Sequence, residues 1–160
     1  NNVLMDRYSR KALCVIDLDT VMPGLAAYDF GDSIRFGAAT AAEDEQNLNL
    51  MRLDVALFER YCQGFLQACS NLSKTEIETL PLGALTMTIE CGIRFLTDYL
   101  EGDHYFKTSR AQHNLDRCRT QFTLAVDIRR HMAQLRQIVL TSAAASSPVR
   151  IALNNPAEKR

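Results

Sequence analysis

The sequence has no long apolar run and no excess of charge of either sign. No stretch of 18 apolar residues occurs, and no basic segment followed by an apolar one opens the chain, so nothing supports a membrane span or a secretory signal. The formal net charge is −1, which gives no electrostatic basis for binding a nucleic acid or an anionic membrane. We therefore expect neither of these as a partner.

Clustered metal-binding side chains are also missing. The five cysteines are odd in number and scattered, and no Cys-x-x-Cys pair or cysteine–histidine cluster occurs, which argues against structural zinc. Most of them stand in apolar segments, a pattern typical of reduced, buried thiols in a cytoplasmic protein. The histidines have no serine or cysteine partner at a recognisable spacing, so they predict surface or satisfied core positions: His104, His113 and His131.

The composition is that of a globular domain. At 160 residues with 47% hydrophobic content, the chain is one domain or part of a larger one. Two short apolar runs, 3–5 and 13–16, are joined by a polar connector and predict an antiparallel β-hairpin. The second run is apolar at every position, as in a strand buried on both faces. Because two strands alone are marginal in water, we expect the hairpin to lie on helices.

Helical periodicity dominates the rest of the sequence. Apolar spacing predicts helices over 29–38, 51–70 and 109–140. Ser73 and Glu76 form a capping box that predicts a short helix to about 79, and Pro81 fits the first turn of a separate helix over 81–101, which Gly102 ends. The predicted fold is therefore mainly α, a helical bundle with one N-terminal β-hairpin.

Two segments have no clear periodicity. Residues 39–48 predict a mobile loop, in which the acidic run 43–45 is solvated. Residues 141–160 predict a loose tail after a folded domain that spans 1–140.

Residues 12–36 concentrate four carboxylates and hold a single base, Arg35. Two of them follow the second strand at positions i and i+2, which places them on the same side of an extended chain. The other two stand where a helix begins, and negative charge is favoured there. Such a group is typical of cation binding, and the alternative is a set of surface strand-end and helix-start residues. The four are Asp17, Asp19, Asp29 and Asp32.

The hairpin carries an asparagine before its first strand and an aspartate after its second. In kinase-type sites, magnesium is held by a catalytic-loop Asn and by the Asp that follows the next strand. Asn2 and Asp17 have this arrangement. The catalytic loop runs Asp-x-x-x-x-Asn, so its general base would precede Asn1. Since the chain also opens without methionine in a strand pattern, we expect a fragment.

Five motifs resemble the aminoglycoside-phosphotransferase-like kinase superfamily, and within it the N-acetylhexosamine 1-kinase branch, whose relatives are sometimes labelled mucin-desulfatase-like. The similarity extends from residue 1 to about 140 and implies the helical C-lobe of a protein-kinase-like fold, without the N-lobe. The motifs are Asn1-Asn2-Val-Leu, Val15-Ile-Asp-Leu-Asp-Thr-Val-Met-Pro-Gly24, Tyr28-Asp-Phe-Gly-Asp-Ser-Ile-Arg35, Glu90-Cys-Gly-Ile-Arg-Phe-Leu-Thr-Asp-Tyr-Leu100 and His113-Asn-Leu-Asp-Arg117.

The resemblance implies an ATP- and Mg²⁺-dependent phosphotransferase acting on the anomeric hydroxyl of an N-acetylhexosamine. Asn2 and Asp17 would be the metal ligands, while Asp19 and Thr20 would orient Asp17 or touch the sugar. Arg94 would reach the acceptor sugar, unless it only forms a local ion pair with Glu90, four residues earlier.

The letters Asp-Phe-Gly at 29–31 match the kinase magnesium motif but follow a turn rather than a strand. The resemblance instead makes Asp29 a helix-start carboxylate that accepts hydrogen bonds from the catalytic-loop backbone. The fragment itself would be inactive, since the base and the nucleotide-gripping lobe precede it.

Other functions stay open at this point. A different small-molecule kinase of the superfamily would act on choline, homoserine or an aminoglycoside, and an acidic acceptor pocket would favour such a cationic substrate. A non-catalytic helical module descended from a kinase would bind no Mg-ATP. A sulfatase is disfavoured, since no Cys- or Ser-x-Pro-x-Arg motif occurs. The truncated lobe would also expose an apolar surface suited to self-association.

Overall fold

The structure, a computed structural model, describes residues 3–19 and 21–146. These residues form a two-stranded antiparallel hairpin, a 3₁₀ turn and four α-helices, which confirms the prediction of a mainly helical fold with an N-terminal hairpin. The elements are β1 Val3–Met5, β2 Ala12–Val15, α1 Ala26–Gly37, the 3₁₀ turn Leu48–Leu50, α2 Val55–Ala68, α3 Lys74–Glu101 and α4 His113–Ser146.

One apolar core joins the four helices. Helix α3 lies between α1 and α4, and α2 packs on α4. Phe30 on α1 is fully buried, and its ring lies 5.5 Å from that of Phe58 and 5.3 Å from that of Phe65, both on α2. Leu80 and Leu124 extend the same core along α3 and α4. Apolar side chains at helical spacing therefore lie where their periodicity predicts.

Helices α1 and α3 cross at unusually short range because both contribute glycine at the crossing. A Cβ atom added to Gly83 would lie 2.1 Å from the carbonyl oxygen of Ala27, and one added to Gly31 would lie 2.4 Å from the carbonyl oxygen of Gly83. Real Cβ atoms do not approach backbone so closely, so the crossing requires glycine at both positions. This close crossing sets the distance between α1 and α3, the two helices that frame the pocket described below.

The prediction that the hairpin is buried and lies on helices is wrong. Its strands are exposed throughout, with Leu13 at 65% and Val15 at 61% of their full accessibility. The two strands pack essentially on each other alone. Burial among the described residues therefore does not explain why β2 is apolar.

The prediction of two helices separated near residue 80 is also wrong. Helix α3 runs without interruption from Lys74 to Glu101, with the buried Pro81 inside it. The missing proline N–H removes one hydrogen bond, and packing between α1 and α4 holds the helix through that position. Its ends match prediction: Ser73 and Glu76 form the capping box, and Gly102 takes the left-handed conformation with φ 102°.

The remaining helix ends differ from prediction by several residues. Helix α1 begins at Ala26, so Asp29 lies in its first turn whereas Asp32 lies inside the helix. Helix α2 begins at Val55, after Asp54, whose side chain accepts the N–H of Leu57 as an N-cap. Helix α4 continues to Ser146, so residues 141–146 are helical rather than a loose tail. No helix in the described ranges has both the length and the apolar character needed to cross a bilayer.

Candidate functional site

A pocket of about 740 Å³ opens between α1, α3 and the segment that leads into α4. Its lining carries as many acids as bases, together with the aromatic rings of Tyr28, Phe95 and Phe106. Balanced charge beside aromatic rings suits a neutral ligand that is rich in hydroxyl groups. The acids are Asp29, Asp32, Glu43 and Glu90, and the bases are Arg35, Arg94, Lys107 and Arg117.

Arg94 is held at the pocket by three groups. Its Nε lies 3.7 Å from a carboxylate oxygen of Glu90, so the predicted local ion pair exists. Its Nη2 donates to the hydroxyl of Tyr105 at 3.3 Å, and its guanidinium carbon lies 5.3 Å from the ring centre of Phe106. About half of the side chain remains exposed, which leaves donors available to a ligand.

The opposite part of the lining is an ion-pair network around Arg35. Its Nε donates to Asp32 at 2.8 Å and its Nη1 to Glu43 at 2.7 Å, while only 12% of the Arg35 side chain is exposed. Burial alone would lower the pKa of this guanidinium, but the hydrogen bonds and charges of Asp32 and Glu43 outweigh it and raise the pKa. Glu43 also lies 3.8 Å from Nε of Arg117 on α4. The network therefore links α1, the loop around Glu43 and α4 by ion pairs.

The prediction that the acidic run 43–45 is a solvated loop is wrong, because Glu43 and Asp44 form ion pairs with residues distant in sequence. Asp44 accepts from Arg110 at 3.4 Å and lies 3.0 Å from Nε2 of His113, both near the start of α4. Gln46 donates to Asp116 at 3.2 Å, on the same helix. The loop is thus fastened to α1 and to α4 by side chains that are distant in sequence. Local periodicity carries no signal for such pairing.

Asp98 organises the segment between α3 and α4. Its buried carboxylate accepts the backbone N–H groups of Tyr105 at 2.7 Å and Phe106 at 2.9 Å, and the side-chain amide of Asn114 at 2.8 Å. Burial raises the pKa of Asp98, but these backbone hydrogen bonds outweigh it and hold the pKa below its usual value. Asp98 thereby positions the two aromatic residues that support Arg94. Sequence reasoning did not identify it.

His113 has a serine and an aspartate beside it. Its Nδ1 lies 3.4 Å from the hydroxyl of Ser109, and its Nε2 lies 3.0 Å from Asp44. However, the backbone N–H of Ser109 donates to the same Nδ1 at 3.1 Å, so the lone pair that would take a proton from the hydroxyl is already in use. The imidazole is therefore a satisfied, buried group, as predicted, and not a base for a serine nucleophile.

The other two histidines also agree with prediction. Nδ1 of His131 lies 2.9 Å from the carbonyl oxygen of Asp127, and His104 is exposed.

Asp17 follows the hairpin in an unusual conformation. Its φ is 64°, in the left-handed region that a non-glycine residue rarely adopts, and its exposed side chain has no hydrogen bond or ion pair within the described residues. Strain of this kind concentrates at functional sites. A free, hard carboxylate oxygen fits the ligand preference of Mg²⁺.

The described residues supply only part of the predicted metal site. Asn2 and Thr20 lie outside the described residues, and Asp19 is exposed. Val3, which follows Asn2 in the sequence, pairs with Val15, two residues before Asp17. Within 3–19 and 21–146, no group of three or more His, Cys, Asp or Glu side chains is placed to hold a metal ion. A magnesium site built on Asp17 therefore depends on Asn2 and the ligand's own oxygens.

Three of the five thiols follow the prediction of burial, and Cys69 is half-buried. Cys62, Cys91 and Cys118 are buried, and burial raises the pKa of Cys62 and of Cys91 to about 11. Thiols of such high pKa are poor nucleophiles, so Cys91 contributes only bulk to the pocket it lines. Cys14 on β2 is exposed, contrary to prediction, because the hairpin is not covered.

The pocket brings together Arg94 and Asp29, which the sequence marked as site residues, and adds Glu43, Arg35 and Phe106, whose backbone N–H donates to Asp98. No hydrogen bond to Asp29 occurs within the described residues, so its proposed contact with a catalytic loop stays a prediction. No protein-family model matches the sequence.

Proposed function

We propose that the chain is the acceptor-binding C-lobe of an ATP- and Mg²⁺-dependent phosphotransferase whose substrate is an N-acetylhexosamine. The observation that supports it most is the 740 Å³ pocket, in which Arg94 stands among four acids, three other bases and aromatic rings. Charged groups of both signs form strong hydrogen bonds with sugar hydroxyls. Aromatic rings provide apolar surface for the C–H face of a pyranose.

The charge balance of the pocket favours a sugar over the cationic acceptors of related kinases. A pocket for choline or an aminoglycoside would need an excess of carboxylates, because burying an unpaired cation is costly. Here acids and bases are equal in number, and three of the four acids already face a base: Asp32 and Glu43 are engaged by Arg35, and Glu90 by Arg94. A neutral polyol adds no charge to this arrangement.

In the proposed reaction, Arg94 and its neighbours bind and orient the acceptor sugar. Asp17 and Asn2 would hold Mg²⁺, which when bound neutralises charge on the phosphates of ATP. Asp17 is suited to this role because its carboxylate has no other partner among the described residues. The proton of the anomeric hydroxyl would pass to an aspartate that precedes Asn1, since the catalytic-loop spacing places the base outside this sequence.

Binding of N-acetylglucosamine or N-acetylgalactosamine to the chain tests the acceptor site directly. We expect saturation-transfer NMR to detect both sugars and not choline, and Arg94→Ala to weaken binding about tenfold or more, since it removes the guanidinium donors that would bind the sugar and leaves Glu90 without its ion-pair partner. Arg129→Ala, an exposed arginine of α4 outside the pocket, is the matched control and should bind as the unmodified chain does. Choline binding, or sugar binding that Arg94→Ala leaves unchanged, would contradict the proposal.

The catalytic part of the proposal has its own test. Incubated with ATP, Mg²⁺ and N-acetylglucosamine, the 160-residue chain should form no sugar 1-phosphate above background, because the base lies upstream. Reading the codons that precede Asn1 should reveal an aspartate at the fourth position before it. Turnover by this chain alone, or another residue at that position, would refute the assignment of the base.

A further inference from the structure

Helix α3 carries a line of apolar side chains that stays largely exposed within the described residues. Leucine, isoleucine or threonine recurs at alternating steps of four and three residues, the spacing that keeps side chains on one line along a helix. Leu100 is 73% exposed, Ile93 51%, Leu82 50% and Ile89 37%. We call this line the α3 ridge, and its members are Leu82, Thr86, Ile89, Ile93, Leu96 and Leu100.

The α3 ridge faces outward because the other sides of the helix are occupied. Helix α1 crosses one flank at Gly83, and α4 lies along the other, where a Cβ atom added to Gly92 would lie 3.1 Å from the ring of Phe122. The side opposite the ridge is buried, with Leu80 and Ala84 in the core. A helix that is apolar on its outer side as well as its inner side is typical of one that a further surface covers.

An apolar groove lies at the N-terminal end of the α3 ridge. It has a volume of about 320 Å³, and Leu25 and Tyr28 from the start of α1 face Thr79, Leu82 and Thr86 of α3 across it. Leu100, the most exposed member of the ridge, stands at the opposite end, about five helical turns away. The ridge therefore has a recess at one end and a protruding side chain at the other.

The α3 ridge is complementary to a reversed copy of itself. Its members lie at equal distances on either side of Cys91, so an antiparallel α3 centred there sets each member against another one. Leu100 of each copy then meets the groove of the other, and the opposite ends of the two helix dipoles lie together. A parallel copy would set Leu100 against Leu100 and leave both grooves unfilled. The antiparallel pairs are Ile89 with Ile93, Thr86 with Leu96 and Leu82 with Leu100.

We propose that two copies of this chain dimerise through the α3 ridge, antiparallel and about a two-fold axis at the level of Cys91. Such an axis requires one patch that is complementary to itself, and the ridge with its groove meets this condition. The weaker specific interfaces bury up to about 600 Å² per partner. The exposed ridge, together with the half-exposed Leu25 and Tyr28, offers an area of that order. The dimer therefore depends on concentration, with a dissociation constant on the order of 100 µM.

Charges placed at the centre of the ridge test both the surface and its orientation. Light scattering at roughly 300 µM, above the expected dissociation constant, should show twice the 18.0 kDa of the chain for the unmodified protein. Ile89→Lys alone and Ile93→Glu alone should each weaken dimerisation tenfold or more, because the new charge faces isoleucine in the partner. Mixed in equal amounts, the two variants should dimerise again. The introduced lysine then faces the introduced glutamate, which happens only in the antiparallel arrangement.

The matched control places the same charge on another helix. Leu57→Glu on α2, a helix that packs on α4 and α1, changes a side chain that is 43% exposed and should leave the dimer intact. Circular dichroism should show unchanged helix content in every variant, and Ile93→Ser, a milder change, should also weaken the dimer. A monomeric unmodified chain, an intact dimer in either charged ridge variant, or a mixture that stays monomeric would each overturn the proposal. The readout is mass alone, so its failure is independent of the proposed phosphotransferase function.

Discussion

At the residue scale, the most informative side chain is Asp98, which the sequence alone does not reveal. It stands inside a helix, where a lone aspartate looks like any exposed polar residue. Its partners, the N–H groups of Tyr105 and Phe106, lie seven and eight residues later and reach it because Gly102 reverses the chain. A carboxylate that satisfies two backbone donors and an amide is a strong, buried connection. The sequence holds each residue, but only the fold brings them together.

Asp98→Asn should destabilise the protein because the amide keeps the shape but loses the charge. One of its two polar atoms becomes a donor that faces the N–H groups it formerly satisfied. We expect the Tm to fall by about 5–10 °C at neutral pH. Asp19→Asn, at an exposed position, is the control and should leave the Tm within about 1 °C. Equal effects of the two substitutions would contradict the role given to Asp98.

The same variant has a distinct dependence on pH. Because the pKa of Asp98 is lowered in the folded protein, the carboxylate stabilises the fold above its ordinary pKa of about 3.9. That contribution is lost as the pH falls through the lower, folded value. The difference in Tm between the unmodified chain and Asp98→Asn should therefore shrink below about pH 4. A difference that stays constant into strong acid would show that packing, not charge, is lost.

At the scale of elements, features that depend on neighbours in sequence are predicted correctly, whereas features that depend on tertiary contacts are not. The hairpin, the capping box of Ser73 and the glycine stop at Gly102 depend on neighbours in sequence, and each occurs as predicted. The break expected at Pro81 does not occur, because two flanking helices stabilise α3 by more than one missing hydrogen bond costs. The acidic loop is held by α1 and α4, partners that no local pattern indicates.

The close crossing of α1 and α3 gives a prediction with an internal control. Gly83→Ala places a methyl group where the carbonyl oxygen of Ala27 lies, so it should destabilise the fold by about 1–3 kcal/mol or more. Gly64→Ala, on α2 with no atom within 4 Å of the new Cβ, should stabilise it by about 0.5–1 kcal/mol through helix propensity alone. Urea denaturation measures both. Similar effects at the two sites would mean that the helices separate to admit the methyl group.

At the scale of the whole molecule, the chain divides into a packed helical body and an uncovered hairpin. Composition and periodicity predict the first, because a core needs only apolar residues at the right spacing. They cannot predict the second, because an apolar strand reads the same whether its own domain or another surface covers it. The candidate site has the same division: Arg94 and Asp29 line a pocket of the helical body, while Asp17 stands on the exposed hairpin.

This division predicts that truncating an aromatic side chain lowers the free energy of unfolding strongly in the helical body and very little in the hairpin. Phe30 is fully buried among the rings of Phe58, Tyr61 and Phe65, so Phe30→Ala should lower the free energy of unfolding by about 3–5 kcal/mol. Tyr8 in the hairpin turn is 90% exposed, and Tyr8→Ala should change it by less than about 0.5 kcal/mol. Should Phe30→Ala prevent folding, Phe30→Leu gives a smaller loss of the same sign.

Because one core spans all four helices, unfolding of the helical body should remain a single transition in every variant. Far-UV circular dichroism reports the helices and near-UV circular dichroism the aromatic packing around Phe30, and the two denaturation curves should coincide. Separate midpoints would show that the helical body does not unfold as one unit. A loss of unfolding free energy in Tyr8→Ala as large as that in Phe30→Ala would show that the hairpin belongs to the same cooperative core.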